Sequence, residues 1–140
     1  MALDELSKRL IAMALEEDVG PGDVTAALLP ADLPGRATVV AREPLVLAGQ
    51  DAFVEVFRQV DSAATVDFAY PDGAAVDGAT KVAKVEGAAR SLLVAERTAL
   101  NLLQRLCGVA TMAREAAEQV QGTSAAVVDT RKTTPGWRRL

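Results

Sequence analysis

The hydropathy pattern of this 140-residue chain divides it in two, and that division constrains the fold more than any other feature. Up to Gly87 two short helical patterns are interspersed with segments that alternate every two residues between turn formers. From Ser91 to about Gln121 the spacing predicts a helix, interrupted only at Gly108, which leads through Gly122-Thr123 into the apolar run Ala125-Ala126-Val127-Val128. Short alternating segments mark strands with one wet face, whereas a brief continuous apolar run marks a strand buried on both. The order predicts an α+β unit followed by the opening helix and strand of an α/β unit. Only twelve residues follow Val128, too few to complete that second unit, so the chain is expected to hold its beginning alone.

The first unit has a readable order. Leu3, Leu6, Leu10, Met13 and Ala14 predict the buried face of an amphipathic helix, with Asp4, Glu5, Lys8, Arg9, Glu16 and Glu17 on the other side. The run Asp18-Val19-Gly20-Pro21-Gly22-Asp23 ends it. As a calcium loop this run has glycine at its third and fifth positions and Leu29 at its twelfth, so it reads as a turn. Arg36 to Arg42 predicts a strand, Pro44 to Gly49 an extended segment and turn, and Gln50 to Val60 a helix through Phe53, Val54, Val56, Phe57 and Val60. Thr65 to Tyr70, the turn Pro71-Asp72-Gly73, and the alternation of Lys81 to Gly87 complete a half-buried antiparallel sheet.

Composition removes several classes of chemistry. There is no histidine and one cysteine, Cys107, which excludes Ser-His-Asp, Cys-His and CxxC machinery, histidine-based zinc sites and disulfides within these residues. Cys107 reads as a small buried hydrophobe. The longest uncharged stretch, the ten residues Gln119 to Val128, is half of what a membrane-spanning helix needs. The first residues lack the basic and apolar regions of a secretory signal, so the cytoplasm is the expected compartment. A net charge of −4 speaks against a nucleic-acid partner.

That charge is unevenly spread. Residues 1–96 carry 8 basic and 16 acidic side chains, and residues 97–140 carry 7 and 3, so the halves stand at −8 and +4. Arg97, Asn101, Gln104 and Arg105 share one face of the long helix, among the apolar positions Leu93, Leu100, Leu103, Leu106 and Val109. Such a stripe meets water, a partner or a ligand. Directly after the predicted buried strand comes Asp129-Thr130-Arg131-Lys132-Thr133-Thr134-Pro135-Gly136. Ligands bind at the carboxyl ends of strands in α/β folds, and Arg supplies a planar fork and Lys a mobile charge for a small dicarboxylate or phosphate. A solvated turn, with Asp129 paired to Arg131 or Lys132, accounts for the same spacing equally well.

Glu96-Arg97-Thr98-Ala99-Leu100-Asn101, Leu103-Gln104-Arg105-Leu106, Gly108-Val109-Ala110-Thr111 and the Asp129–Gly136 run with Arg138 together strongly resemble quinolinate phosphoribosyltransferases. The loop Glu17 to Thr25 and the Ala48-Gly49 turn match as well. The resemblance implies an N-terminal α/β sandwich with an open-faced sheet, here 1–98, and then an α/β barrel, of which 99–140 supply the first helix and strand. It implies transfer of phosphoribosyl from phosphoribosyl pyrophosphate to quinolinate, with decarboxylation, giving nicotinate mononucleotide, pyrophosphate and CO2 in NAD biosynthesis. Carried over by position, Thr130, Arg131 and Lys132 bind quinolinate, and Arg97 is donated across a homodimer into the partner subunit's site.

Family members continue with an Asn-His-Arg segment, further Lys, Glu and Asp residues and phosphate-binding loops. The Mg²⁺ ligands are expected there, and 1–140 alone is expected to be inactive. Two other readings accompany this one: a non-catalytic truncated dimerisation module, and a paralogue of the same architecture linked to molybdate transport.

Overall fold

The computed structural model describes residues 3–140. Asp4 opens helix α1 (Glu5–Val19), its carboxylate accepting the Ser7 amide at 2.8 Å and so satisfying one of the free N–H groups of the first turn. A short 3-10 turn, Ala26–Leu28, is held from before and behind. The Asp23 carboxylate accepts the Thr25 and Ala26 amides at 2.8 and 2.9 Å, and Arg90 donates to the carbonyls of Ala27 and Leu29. The Asp18–Asp23 run is thus a turn from Gly20 onward, with Asp18 and Val19 still in α1 and the Asp23 carboxylate spent on backbone.

Strands β1 (Pro34–Ala41), β3 (Thr65–Phe68) and β5 (Thr80–Ala88) form an antiparallel sheet in the order β1-β5-β3, and β2 (Leu45–Val46) pairs with β4 (Ala75–Val76) in a separate two-stranded ribbon. The register of β1 on β5 shifts between Val39 and Val40. An extra residue in β5 at that point lets Val82 and Ala83, neighbours in sequence, both point inward. Val85 and Val39 continue the inner face, while Arg36, Lys81, Lys84, Glu86 and Asp67 line an open outer face. Arg36 and Glu86, directly opposite in the ladder, pair there at 2.8 Å.

Helices α2 (Gln50–Val60) and α3 (Ala89–Gln119) cover the inner face and pack on each other, with α1 alongside both. Gly49 starts α2 at a φ of 96°, and a Cβ there would lie 2.5 Å from Leu106 Cδ1, so both conformation and space require glycine. Phe53 is the centre of the core, 1% exposed, its ring 5.1 Å from Phe57 and 5.5 Å from Phe68 in tilted and edge-on contacts. Glu55 is buried on the same helix and is held by Arg58 at two points, 2.7 and 2.6 Å, and by Gln59, which also donates to the Lys8 carbonyl of α1. The Arg58 grip outweighs the opposing effect of burial and holds the Glu55 carboxyl below its ordinary range. Among the described residues no helix is long and apolar enough to cross a membrane.

Three expectations are corrected. The buried line of α1 is Ser7 and Ile11, flanked by half-buried Leu3 and Leu15, whereas Leu6 and Met13 are 59% and 68% exposed. A four-residue ridge with the small Ser7 lies along its neighbours, so packing rather than summed hydrophobicity sets the rotation of this helix. Gly108 does not interrupt α3, which runs unbroken through it. Leu93 and Val109 are exposed, the buried stripe being Leu92, Ala95, Ala99, Leu102, Leu103 and Cys107. Ala125–Val128 forms no strand: Val127 and Val128 are 49% and 81% exposed, and none of the five strands pairs with them. A strand exists through its ladder, and apolar sequence without a neighbouring edge leaves an exposed extended segment.

Replacing Phe53 by Ala removes the ring on which two others lean, and the expected loss is about 3–5 kcal/mol of unfolding free energy. Urea denaturation would read it, with Val54→Ala on the outer side of α2 shifting the midpoint far less.

Candidate functional site

The long helix α3 carries Arg97 in its first half and leads on to the Thr130-Arg131-Lys132 turn beyond its end. At i, i+4 and i+7 it is pinned to the β2/β4 ribbon and the turns beside it. The Ala48 amide donates to Cys107 Sγ at 3.4 Å, the Val46 amide to Thr111 Oγ1 at 2.9 Å, and Arg114 donates to the Gly73 carbonyl at 2.9 Å. Thr111 in turn donates to the Cys107 carbonyl at 2.8 Å. Cys107 is 4% exposed, and burial, with a smaller effect from Asp72, pushes its thiol above the ordinary range against the Ala48 hydrogen bond.

Arg97, Asn101, Gln104 and Arg105 all lie on exposed surface of α3, as the spacing predicts. Arg97 donates from Nη1 to Asp18 Oδ1 at 3.0 Å, a contact between the last turn of α1 and the first half of α3. Beyond α3 the chain turns back to α1. Gly136 passes so close to Leu10 that a Cβ would lie 2.6 Å from Leu10 Cδ1, and Trp137 and Leu140 pack against the core cluster. Arg139 approaches Asp4 at 3.8 Å. These contacts anchor the base of a cationic turn whose tip is free.

Within that turn Thr130 Oγ1 accepts the Lys132 amide at 3.3 Å, and Arg138 donates to the Arg131 carbonyl at 3.1 Å. The side chains of Arg131 and Lys132 are exposed, and Asp129 pairs with neither. The self-paired turn is therefore not what forms: backbone bonds shape it and leave the two charges outward. No hydrogen bond or ion pair among the described residues joins Arg97 to Thr130, Arg131 or Lys132. Sequence reasoning passed over Asp18 as the partner of Arg97. The signal was the acidic end of α1, where Glu16, Glu17 and Asp18 meet a last turn without a basic residue.

Residues 23–107 match the N-terminal domain of quinolinate phosphoribosyl transferase, more than half of the chain, and residues 109–140 match the C-terminal domain. The chain belongs to the quinolinate phosphoribosyl transferase family. Among relatives of this family, a chloroplastic nicotinate-nucleotide pyrophosphorylase (carboxylating) of Oryza sativa subsp. japonica is 40% identical over 133 residues, which are 94% of this chain and 35% of that protein. Quinolinate phosphoribosyltransferase (decarboxylating) 1b of Nicotiana tabacum is 38% identical over 94% of this chain and 37% of its own length. The solved nicotinate-nucleotide pyrophosphorylase of Francisella tularensis superposes with a TM-score of 0.92 at 35% identity, over 99% of this chain and 49% of that one. The chain thus spans a little over a third of these two curated relatives and about half of the solved structure. Its mixed fold with open sheets is that of the solved neighbour.

Among the described residues no three Asp, Glu or Cys side chains converge on a site that could hold a metal.

The buried, raised thiol of Cys107 sets a chemical expectation. With less thiolate at any given pH, native chain at pH 8 should react with iodoacetamide far more slowly than urea-unfolded chain, a difference that mass spectrometry of the alkylated Cys107 peptide would measure.

Proposed function

We propose that this chain contributes to a quinolinate phosphoribosyltransferase, an enzyme that joins quinolinate to phosphoribosyl pyrophosphate and releases pyrophosphate and CO2, in NAD biosynthesis. The observation that carries the reading is the exposed turn Thr130-Arg131-Lys132, two unpaired cations on a backbone closed by Arg138, in a chain of this family.

Quinolinate presents two adjacent carboxylates. A guanidinium grips one bidentately, an ammonium neutralises the other, and the Thr130 hydroxyl donates to whichever oxygen remains. Held in this way, the pyridine nitrogen is aimed at the ribosyl carbon. As the nitrogen–carbon bond forms, the bond to pyrophosphate breaks; the ring then loses the neighbouring carboxylate as CO2 and takes up a proton. The role of these side chains is orientation and charge compensation, which needs cations that stay protonated at neutral pH.

Arg97 belongs to the same reading as a residue donated across a homodimer into the partner subunit's site. Its exposure on α3 and its lack of contact with the turn of its own chain support that assignment. Mg²⁺ ligands come from outside 1–140 in this reading. Residues 1–140 then hold the acid without positioning the phosphoribosyl donor, and are inactive alone. A cytoplasmic location completes the proposal.

Calorimetric titration of quinolinate into the 140-residue chain tests it. Saturable heat is expected, with affinity reduced roughly 10- to 100-fold by Arg131→Ala, the scale of a lost hydrogen-bonded charge contact. No heat from a folded chain would remove Thr130, Arg131 and Lys132 as a self-sufficient acid site. Turnover by 1–140 with phosphoribosyl pyrophosphate would overturn the inactivity.

A further inference from the structure

We infer that Asp18 is a positioning residue for Arg97: it tethers one edge of the guanidinium to the end of α1 and leaves the other edge presented for a carboxylate. The inference rests on the reading of Arg97 as a quinolinate contact and deepens it.

Three observations carry it. The first is charge at a helix end. The last turn of helix α1 carries Glu16, Glu17 and Asp18 and no basic residue, so three carboxylates crowd the negative pole of the helix and a cation from elsewhere is favoured. Arg97, 79 positions along the chain, supplies it.

The second is the asymmetry of the pair. The Asp18 side chain is 22% exposed and the Arg97 side chain 70%, so the carboxylate is the sheltered partner and the guanidinium the outer one. The backbone beneath Asp18 is fixed by the Gly20 amide donating to the Glu16 carbonyl at 3.0 Å and the Gly22 amide donating to the Val19 carbonyl at 2.9 Å.

The third is the count of donors. One N–H of Arg97 is engaged, from Nη1 to Oδ1, out of the five a guanidinium carries. A bidentate pair would have consumed the fork that recognises carboxylates; a single bond holds the side chain and keeps the fork available. Arginine is rich in rotamers, and ordering it before the ligand arrives removes part of the entropy that binding would otherwise lose.

The test compares the wild-type chain with Asp18→Asn, Asp18→Glu, Arg97→Ala and the Asp18→Asn/Arg97→Ala double variant. Each is titrated with quinolinate by calorimetry, and each is recorded by ¹⁵N NMR for the Arg97 Nε–H signal, assigned by its loss in Arg97→Ala. Asp18→Asn should weaken quinolinate about two- to fivefold, the range of one exposed charge contact, and should broaden or shift the Arg97 signal. Asp18→Glu should recover affinity, and the double variant should bind no more weakly than Arg97→Ala, because Asp18 acts only through Arg97.

Unchanged affinity in Asp18→Asn, or a further loss from Asp18→Asn in the Arg97→Ala background, overturns the positioning role and leaves the quinolinate reading standing. Absence of heat from the wild-type chain, with its Arg97 signal intact, removes the self-sufficient quinolinate site of 1–140 and overturns the positioning role with it. Thermal melts guard against misfolding: a variant that fails to melt cooperatively is replaced by Asp18→Glu, whose loss of affinity at an unchanged melting temperature would also count against the tether.

Discussion

The buried stripe of α3, Leu92, Ala95, Ala99, Leu102, Leu103 and Cys107, is the constraint on which the rest of the molecule depends. It is closed by Phe53, Val56 and Phe57 of α2 and by Val82 and Val85 of β5 in one core cluster. Each large side chain so buried is worth on the order of 1.5–3 kcal/mol, so the stripe outweighs any surface ion pair in the structure. Two alanines in its middle let α2 and the sheet come close, which a helix of leucines would prevent. The same stripe fixes the rotation of α3 and hence the direction in which Arg97, Asn101, Gln104 and Arg105 point: away from the core, because the opposite side is filled.

Past Cys107 the helix leaves this support. Thr111 and Arg114 still reach back to the β2/β4 ribbon and the turn beside it, but Val109 and Met112 are 57% and 71% exposed, and the segment after the helix regains the body of the molecule through Gly136, Trp137, Arg139 and Leu140. The cationic turn lies between these anchors. Arg131 and Lys132 are exposed in it, and Asp129 neutralises neither. Arg97 has the complementary arrangement, partly engaged by Asp18 and otherwise open.

Much of the fold was legible, and the legible parts share a cause. Strands β1 and β5 and helix α2 carry a two-faced pattern that local sequence writes directly, since each has one buried and one wet side. Helix α1 misled because its apolar residues outnumber the contact line; Ser7 is buried and Leu6 is not, a choice made by how closely α1 approaches its neighbours. Gly108 misled because a glycine in a helix with open space around it costs only about 1 kcal/mol relative to alanine, less than the packing on either side supplies. Ala125–Val128 misled because apolar composition proposes a strand but only an adjacent edge makes one. At the candidate site, the residue types and their order on α3 and in the Asp129–Gly136 run were plain, whereas the Arg97–Asp18 contact and the closing bond from Arg138 were not.

Sequence alone determined which side chains are on offer: no histidine, and arginine, lysine and threonine donors gathered on α3 and in the Asp129–Gly136 run. It also determined the α+β order, since periodicity is a local property and survives without knowledge of neighbours. Tertiary structure decided which face of α1 is buried, whether 125–128 pairs, and which carboxylate meets Arg97. Each of those depends on residues tens of positions apart, as with Asp18 and Arg97, and free energy at such contacts is set by distance in space, which periodicity does not encode.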